Sequence, residues 1–200
     1  MHKLHLLTSR PIGERCKDWL KQNNNLLLDK NILLTDNKED STVVVSVLYD
    51  TILKKDFLKN RRNYNFHPGI LPEYRGAGTF TWSIINEEKE VGITLHEIDP
   101  RIDGGNIISI EKWECTNKDT AYTLFKRGEE VIFNMFTKWI IPIVTNNYNS
   151  TPQDESKANI YYRKDLDKIK DITKYVRAFT FPGKDNAFYF DRSILWRMIK

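Results

Sequence analysis

Cysteine is scarce in this chain: Cys16 and Cys115 stand far apart and have no companions. Two thiols so placed make neither a disulfide framework nor a four-ligand zinc site. Long apolar runs are missing too, so no segment reads as a bilayer span. The stretch Leu4 to Leu7 is interrupted by His5 and lacks the small-residue cleavage site of a signal peptide. A reducing, cytoplasmic setting is the expectation. Glycine-rich phosphate loops are absent: the opening segment holds Gly13 but no G-x-G-x-x-G, so no dinucleotide cofactor is inferred. Neither sign of charge dominates. The 31 basic and 27 acidic residues leave +4, spread along the chain, which fits an anionic small molecule and is no nucleic-acid signature. The one adjacent arginine pair, Arg61-Arg62, reads as a solvated loop. The four histidines (His2, His5, His67 and His96) show no ligand spacing, so no metal is expected.

What remains is a chain of 200 residues, enough for one domain with a small appendage. Lys3 to Thr8 reads as a first strand, Ser9 to Pro11 as a turn, and Ile12 to Gln22 as a helix with Cys16, Trp19 and Leu20 at helical spacing. Thr42 to Leu48 is the clearest strand, β-branched and nearly all apolar, as in a sheet covered on both faces. The class is therefore α/β: a Rossmann-like, mostly parallel sheet with flanking helices. Further strands are expected at Tyr64–His67, Val91–Ile98 and Asn106–Trp113, with a helix at Phe80–Asn86. A long helix runs from a cap at Thr116 or Asn117 to about Ile141, where Pro142 stops or kinks it. Residues 1–145 form the main domain in this reading. Thr145 to Lys157 reads as a polar linker. Residues 146–200 form a small C-terminal subdomain, with a helix from Leu166 to Phe179 and an aromatic segment through Phe190.

Chemistry concentrates at Asn65-Phe66-His67-Pro68-Gly69. On a strand, residues two apart point to one face, so a carboxamide and an imidazole converge where the strand ends. Carboxyl ends of strands are where open α/β sheets bind ligands. A carboxamide NH₂ can stabilise an oxyanion, and an imidazole can assist it or handle a proton. A second segment, Gly92 to His96 followed by Asp99, Asp103 and Gly104-Gly105, sets a carboxylate on a glycine-flanked turn that can approach a ligand closely. His96 reads as a supporting hydrogen-bond partner.

These segments, with Leu71-Pro72, Tyr74-Arg75-Gly76 and Trp82, resemble the catalytic domain of the folate-dependent formyltransferases, strongly from Val43 to Trp113. The resemblance implies an N-formyltransferase fold and a catalytic set of Asn65, His67 and Asp103, with 10-formyltetrahydrofolate as co-substrate. An amine would attack the formyl carbon directly. Asn65 would donate to the oxyanion; His67 would do the same or accept a proton; Asp103 would hold His67 or a water and pass the proton. The pteridine slot falls between Tyr49, Asp50, Thr51, Ile52 and Leu53 on one side and Ile98, Asp99 and Asp103 on the other. Asp50 and Thr51 depart from the small or basic residues usual there.

Tyr161-Tyr162, the stretch Arg177 to Lys184 and Asn186 to Phe188 are similar to the tail of sugar-nucleotide formyltransferases, which implies a nucleotide-linked, dTDP-type amino sugar as acceptor. Acceptor contacts are then expected at Tyr74, Arg75, Gly76, Arg177, Phe181, Lys184 and Phe188. A flat ring such as Phe181 or Phe188 can stack on a base, and Arg177 or Lys184 can meet a pyrophosphate. Methionyl-tRNA and glycinamide-ribonucleotide formyltransferases are the alternatives; with the chain ending at Lys200, the further β-barrel of the former is not expected. A folate- or nucleotide-sugar-binding protein on the same fold is the non-enzymatic alternative. The stretch between the first helix and Val43 is short for a full Rossmann-like half. A reduced sheet, or an exposed edge covered by a second copy in a homodimer, is expected.

Overall fold

The structure is a computed structural model, and residues 1–169 and 176–181 are described. In chain order the elements are β1 (His2–Thr8), α1 (Pro11–Gln22), α2 (Asn24–Asp29), β2 (Ile32–Leu34), β3 (Val43–Val47), α3 (Lys55–Leu58), β4 (Arg62–His67), β5 (Arg75–Gly76), α4 (Thr79–Ile85), β6 (Glu90–Glu97), β7 (Ile107–Glu114), α5 (Ala121–Thr145), β8 (Ile160–Tyr161) and α6 (Val176–Phe179). Six strands form one sheet in the order β2-β1-β3-β4-β6-β7, and β5 pairs with β8 in a small second sheet. From β2 to β4 the pairings are parallel; β4 with β6 and β6 with β7 are antiparallel. The expected α/β architecture is thus present.

Every residue of β3 is buried, which is what its unbroken run of valines requires of a central strand. Over the sheet, α1 and α5 pack against each other and against the strands. Phe136 of α5 is fully buried. Its ring lies edge-on to Trp19 of α1 at 6.2 Å and tilted to Phe66 of β4 at 5.9 Å. One aromatic side chain therefore joins helix, helix and sheet at the place where β4 carries its chemistry. Among the described residues no helix is long and apolar enough to cross a membrane.

Four sequence expectations are corrected. The sheet is not reduced: between α1 and β3 the chain fits both α2 and β2, and β2 extends the sheet in parallel register with β1. Between α1 and α2 the Asn23 side chain donates to the Trp19 carbonyl at 2.8 Å. Pro142 does not stop α5, which runs on to Thr145 and ends at Asn146 with φ +60°. The last four carbonyls of a helix lack intrahelical partners. Arg62 meets two of those carbonyls, Ile143 at 3.1 Å and Val144 at 2.7 Å. The Arg61-Arg62 pair is therefore no solvated loop. Arg62 caps α5, and Arg61 lies over the Phe57 ring at 4.3 Å. Finally, no single helix spans Leu166 to Phe179. Residues Arg163–Lys168 are a 3₁₀ segment, α6 covers Val176–Phe179, and the expected aromatic segment through Phe190 lies outside the described residues.

Because Phe136 fills a site shared by three elements, Phe136→Ala leaves a cavity that cannot close. We expect it to lower unfolding free energy by about 3–5 kcal/mol, measured by urea denaturation at unchanged m-value; a loss under about 1 kcal/mol would mean the site collapses around the alanine.

Candidate active site

Strand β4 delivers Asn65 and His67 to one face, two residues apart. The antiparallel register with β6 sets Asn65 opposite His96 and His67 opposite Thr94. Cross-strand neighbours on one face have side chains in contact, and the Asn65 Nδ2 to His96 Nε2 distance is 3.3 Å. Asp103 arrives from the turn after β6. Its carboxylate sits between the two imidazoles: Oδ2 is 3.5 Å from His67 Nδ1 and Oδ1 is 3.6 Å from His96 Nε2. The Gly76 N–H donates to Oδ2 at 2.9 Å.

Hydrogen-bond partners fix how the rings are protonated. His67 Nε2 lies 2.7 Å from the Tyr74 carbonyl, and a carbonyl only accepts, so the proton is on Nε2. Its Nδ1 then presents a lone pair toward the cavity side and toward Asp103. His96 Nδ1 donates to the Glu97 carbonyl at 2.6 Å, so its Nε2 accepts from Asn65. The Asn65 amide keeps a second hydrogen for a ligand oxygen.

Burial dominates the electrostatics. His67 is 3% exposed, and desolvation holds its pKa below the ordinary histidine value despite the Asp103 carboxylate beside it. Burial pushes Asp103 the other way. Attraction to His67 in its protonated form, the contact with His96 and the Gly76 N–H more than offset this and hold its carboxyl well below the usual carboxylate range. The resting site is a neutral imidazole facing an ionised carboxylate.

Local backbone makes this possible. Asp103 has φ +45°, a left-handed conformation that non-glycine residues adopt rarely and that recurs at functional sites. Gly76 has φ +94°, and a Cβ there would fall 2.1 Å from the Tyr161 carbonyl oxygen, so only glycine brings this N–H to Asp103. A Cβ on Gly69 would fall 2.8 Å from His67 Nε2, in the space the ring occupies.

Asn65, His67, His96 and Asp103 line one cavity of about 820 Å³, within the range of small-molecule sites. Tyr49, Asp50, Thr51, Ile52 and Leu53 line it, as do Ile98, Asp99, Gly76 and Phe181. Other expected contacts are used elsewhere. The Tyr74 hydroxyl donates to Glu88 at 2.7 Å, and its ring stacks on Tyr161 at 5.0 Å. Arg75 is buried and bound to Gln153 and Glu155. Arg177 donates to the carbonyls of Thr116 and Asp119 at 3.1 and 3.2 Å. None of these three lines the cavity: each guanidinium or hydroxyl is spent on a packing contact. Phe181 also meets Tyr122 and Phe125 edge-on, both at 5.3 Å. Lys184 and Phe188 lie outside the described residues.

The sequence reading missed Tyr162, Arg163 and Lys164, which line the cavity. A basic pair following two tyrosines at the end of the polar linker was the available signal. Arg10 was missed as well; it lines the cavity and pairs with Asp50 at 2.7 Å. Among the described residues no group of three or more His, Cys, Asp or Glu has a metal-holding arrangement.

Comparison with known proteins shows the family of the chain. Residues 14–140 match the Formyl transferase family, and the chain belongs to that family. It is 30% identical over 167 residues to the bifunctional polymyxin resistance protein ArnA of Wigglesworthia glossinidia brevipalpis, a match covering 78% of this chain and 26% of that protein. It is 34% identical over 147 residues to a methionyl-tRNA formyltransferase of Alkaliphilus oremlandii, covering 72% of this chain and 47% of that protein. The chain thus spans between a quarter and a half of the length of these curated relatives. Among solved structures it superposes on WlaRD, a sugar 3N-formyl transferase in the presence of dTDP and 5-N-formyl-THF, with TM-score 0.74 and 26% identity over 90% of this chain and 80% of that one. A sugar N-formyltransferase from Shewanella shares the fold with TM-score 0.80 at 21% identity, over 93% and 91% of the two chains.

The depressed His67 pKa has a consequence for stability. The unfolded chain binds a proton at this residue below about pH 6.5, while the folded chain refuses it until lower pH. Stability is therefore full above that value and falls as pH drops toward the folded pKa. Replacing the ring removes this component. Between pH 7 and pH 5 the unfolding free energy of wild type should fall more steeply than that of His67→Gln, by chemical denaturation; parallel slopes would place the ring's pKa at its ordinary value.

Proposed function

We propose that this chain transfers the formyl group of 10-formyltetrahydrofolate to the amine of a nucleotide-linked sugar, with dTDP the expected nucleotide. The observation that carries the reading is the meeting of Asn65, His67 and Asp103 on the wall of one cavity, with the imidazole neutral and the carboxylate ionised. In this reading the free hydrogen of the Asn65 amide donates to the formyl oxygen as the amine attacks and a C–N bond forms. Negative charge gathers on that oxygen, where a fixed donor stabilises it most. His67 Nδ1 takes the proton that the amine must lose. The imidazolium so formed faces Asp103 at 3.5 Å, which holds the positive charge. His67 then returns the proton to the departing folate nitrogen as the second C–N bond breaks, leaving a formamide and tetrahydrofolate.

The two loops Tyr49–Leu53 and Ile98–Asp103 form the folate side in this reading. Tyr162, Arg163, Lys164 and Phe181 form the acceptor side: rings suit a base and cations suit a diphosphate. Residues 146–200 then serve as an acceptor-binding and dimerisation subdomain. WlaRD, at 26% identity, was crystallised with dTDP and a formylated folate, which supports the choice of a sugar acceptor. The 34% identity to a methionyl-tRNA formyltransferase supports the second reading, a charged initiator tRNA as acceptor.

An acceptor panel with 10-formyltetrahydrofolate, at matched concentrations, separates them. A dTDP-amino sugar should turn over faster than glycinamide ribonucleotide or methionyl-tRNA; preference for the tRNA would overturn the choice. On the best acceptor, Asn65→Ala, His67→Ala and Asp103→Ala should each lose on the order of 100- to 1000-fold in kcat while remaining folded by circular dichroism. Near-wild-type turnover in any two of them would refute the assignment.

A further inference from the structure

The polar stretch between α5 and β8 reaches into the site. We propose that Gln153, in this stretch, is a positioning residue that sets the Asp103 turn in its working conformation. The inference rests on the site reading above and adds a residue from outside the matched family segment 14–140. Gln153 Nε2 donates to the Asp103 carbonyl at 2.7 Å and to the Gly105 carbonyl at 2.6 Å. Its Oε1 accepts from Arg75 Nε at 3.0 Å and from Arg75 Nη2 at 2.8 Å. The orientation of this amide is forced, because carbonyls only accept and a guanidinium only donates. Both hydrogens and the oxygen are thereby engaged.

The two ends of Asp103 are held by neighbouring residues. Gly76 fixes the carboxylate through its N–H, and Arg75, one residue earlier, orients the amide that fixes the backbone carbonyl. Arg75 is itself held by Glu155 through two contacts at 2.8 and 3.0 Å. Two residues before Gln153, Thr151 exchanges a pair of 2.8 Å backbone hydrogen bonds with Ile107 at the start of β7, so the stretch is in register with the sheet. Asp103 stands at φ +45°, a conformation that persists where surroundings over-determine it. Without Gln153, both carbonyls of the turn lose their anchors and the carboxylate loses its aim at His67.

Two variants test this. Gln153→Ala removes the amide, while Gln153→Glu keeps an oxygen for Arg75 and loses both donors. In each, kcat should fall about tenfold or more, as small misplacements near the reacting atoms do, with KM for folate and acceptor staying within about threefold. A fall carried by KM, or no fall in either variant, overturns the proposal. The ¹⁵N resonances of the His67 ring, read without substrates, should shift in both variants because the facing carboxylate has moved; resonances that stay in place overturn it as well. If wild type shows no formyl transfer, the proposed function fails while the resonance test of this clamp stands.

Discussion

A buried carboxylate between two imidazoles is the constraint around which this molecule is arranged. Asp103 is held away from water between His67 and His96, with the Gly76 N–H donating to its carboxylate, and a buried charge without any partner would be costly. Each ring in turn is tethered by its far nitrogen to a main-chain carbonyl, of Tyr74 or Glu97. The near nitrogens are left as lone pairs. His67 therefore faces Asp103 with nothing to share until a proton arrives, and then gains an ion pair. That asymmetry between the empty and the protonated ring is what a proton-handling group needs.

The sheet exists in two halves for the same reason. Its parallel half, β2 to β4, ends in the edge where β3 and β4 open onto the cavity, as carboxyl ends do in α/β folds. Its antiparallel half brings β6 back against β4, so that His96 lands opposite Asn65. A slip of one residue would turn His96 to the other face and dissolve the site. Phe136, wedged between Trp19 and Phe66, fixes α5 and α1 over β4 at the level of these side chains. Core packing and site geometry thus share residues, with Phe66 lying between Asn65 and His67.

The described residues after α5 form a strap against the main fold. β8 pairs with β5, Tyr161 stacks on Tyr74, and Phe181 packs against Tyr122 and Phe125 of α5 while also lining the cavity. The ion pairs of Arg75 and Arg101 with Glu155 tie the strap to the turn that carries Asp103. An exposed ion pair adds little stability, but Arg75 is buried, so losing its partners would strand a charge. Segments distant in the chain are in this way joined around one loop.

The sequence by itself determined the class of fold, through β-branched runs and helical spacing. It also determined the pair Asn65 and His67, because strand alternation puts residues two apart on one face whatever the partners are. The motif order from Asn65 to Gly105 pointed to the family. Long-range pairing had no sequence signature and was decided in three dimensions. The edge strand Ile32–Leu34 is too short to read as periodic. Pro142 reads as a stop or a kink, yet α5 runs on to Thr145, and Arg62, eighty residues earlier, meets the carbonyls of its end. Tyr74, Arg75 and Arg177 looked like ligand contacts until the fold gave each a nearer partner. Gln153 looked like solvated linker until the register of Thr151 on Ile107 carried it to Asp103. Local periodicity records which way a side chain points, and only the packed chain decides what it meets.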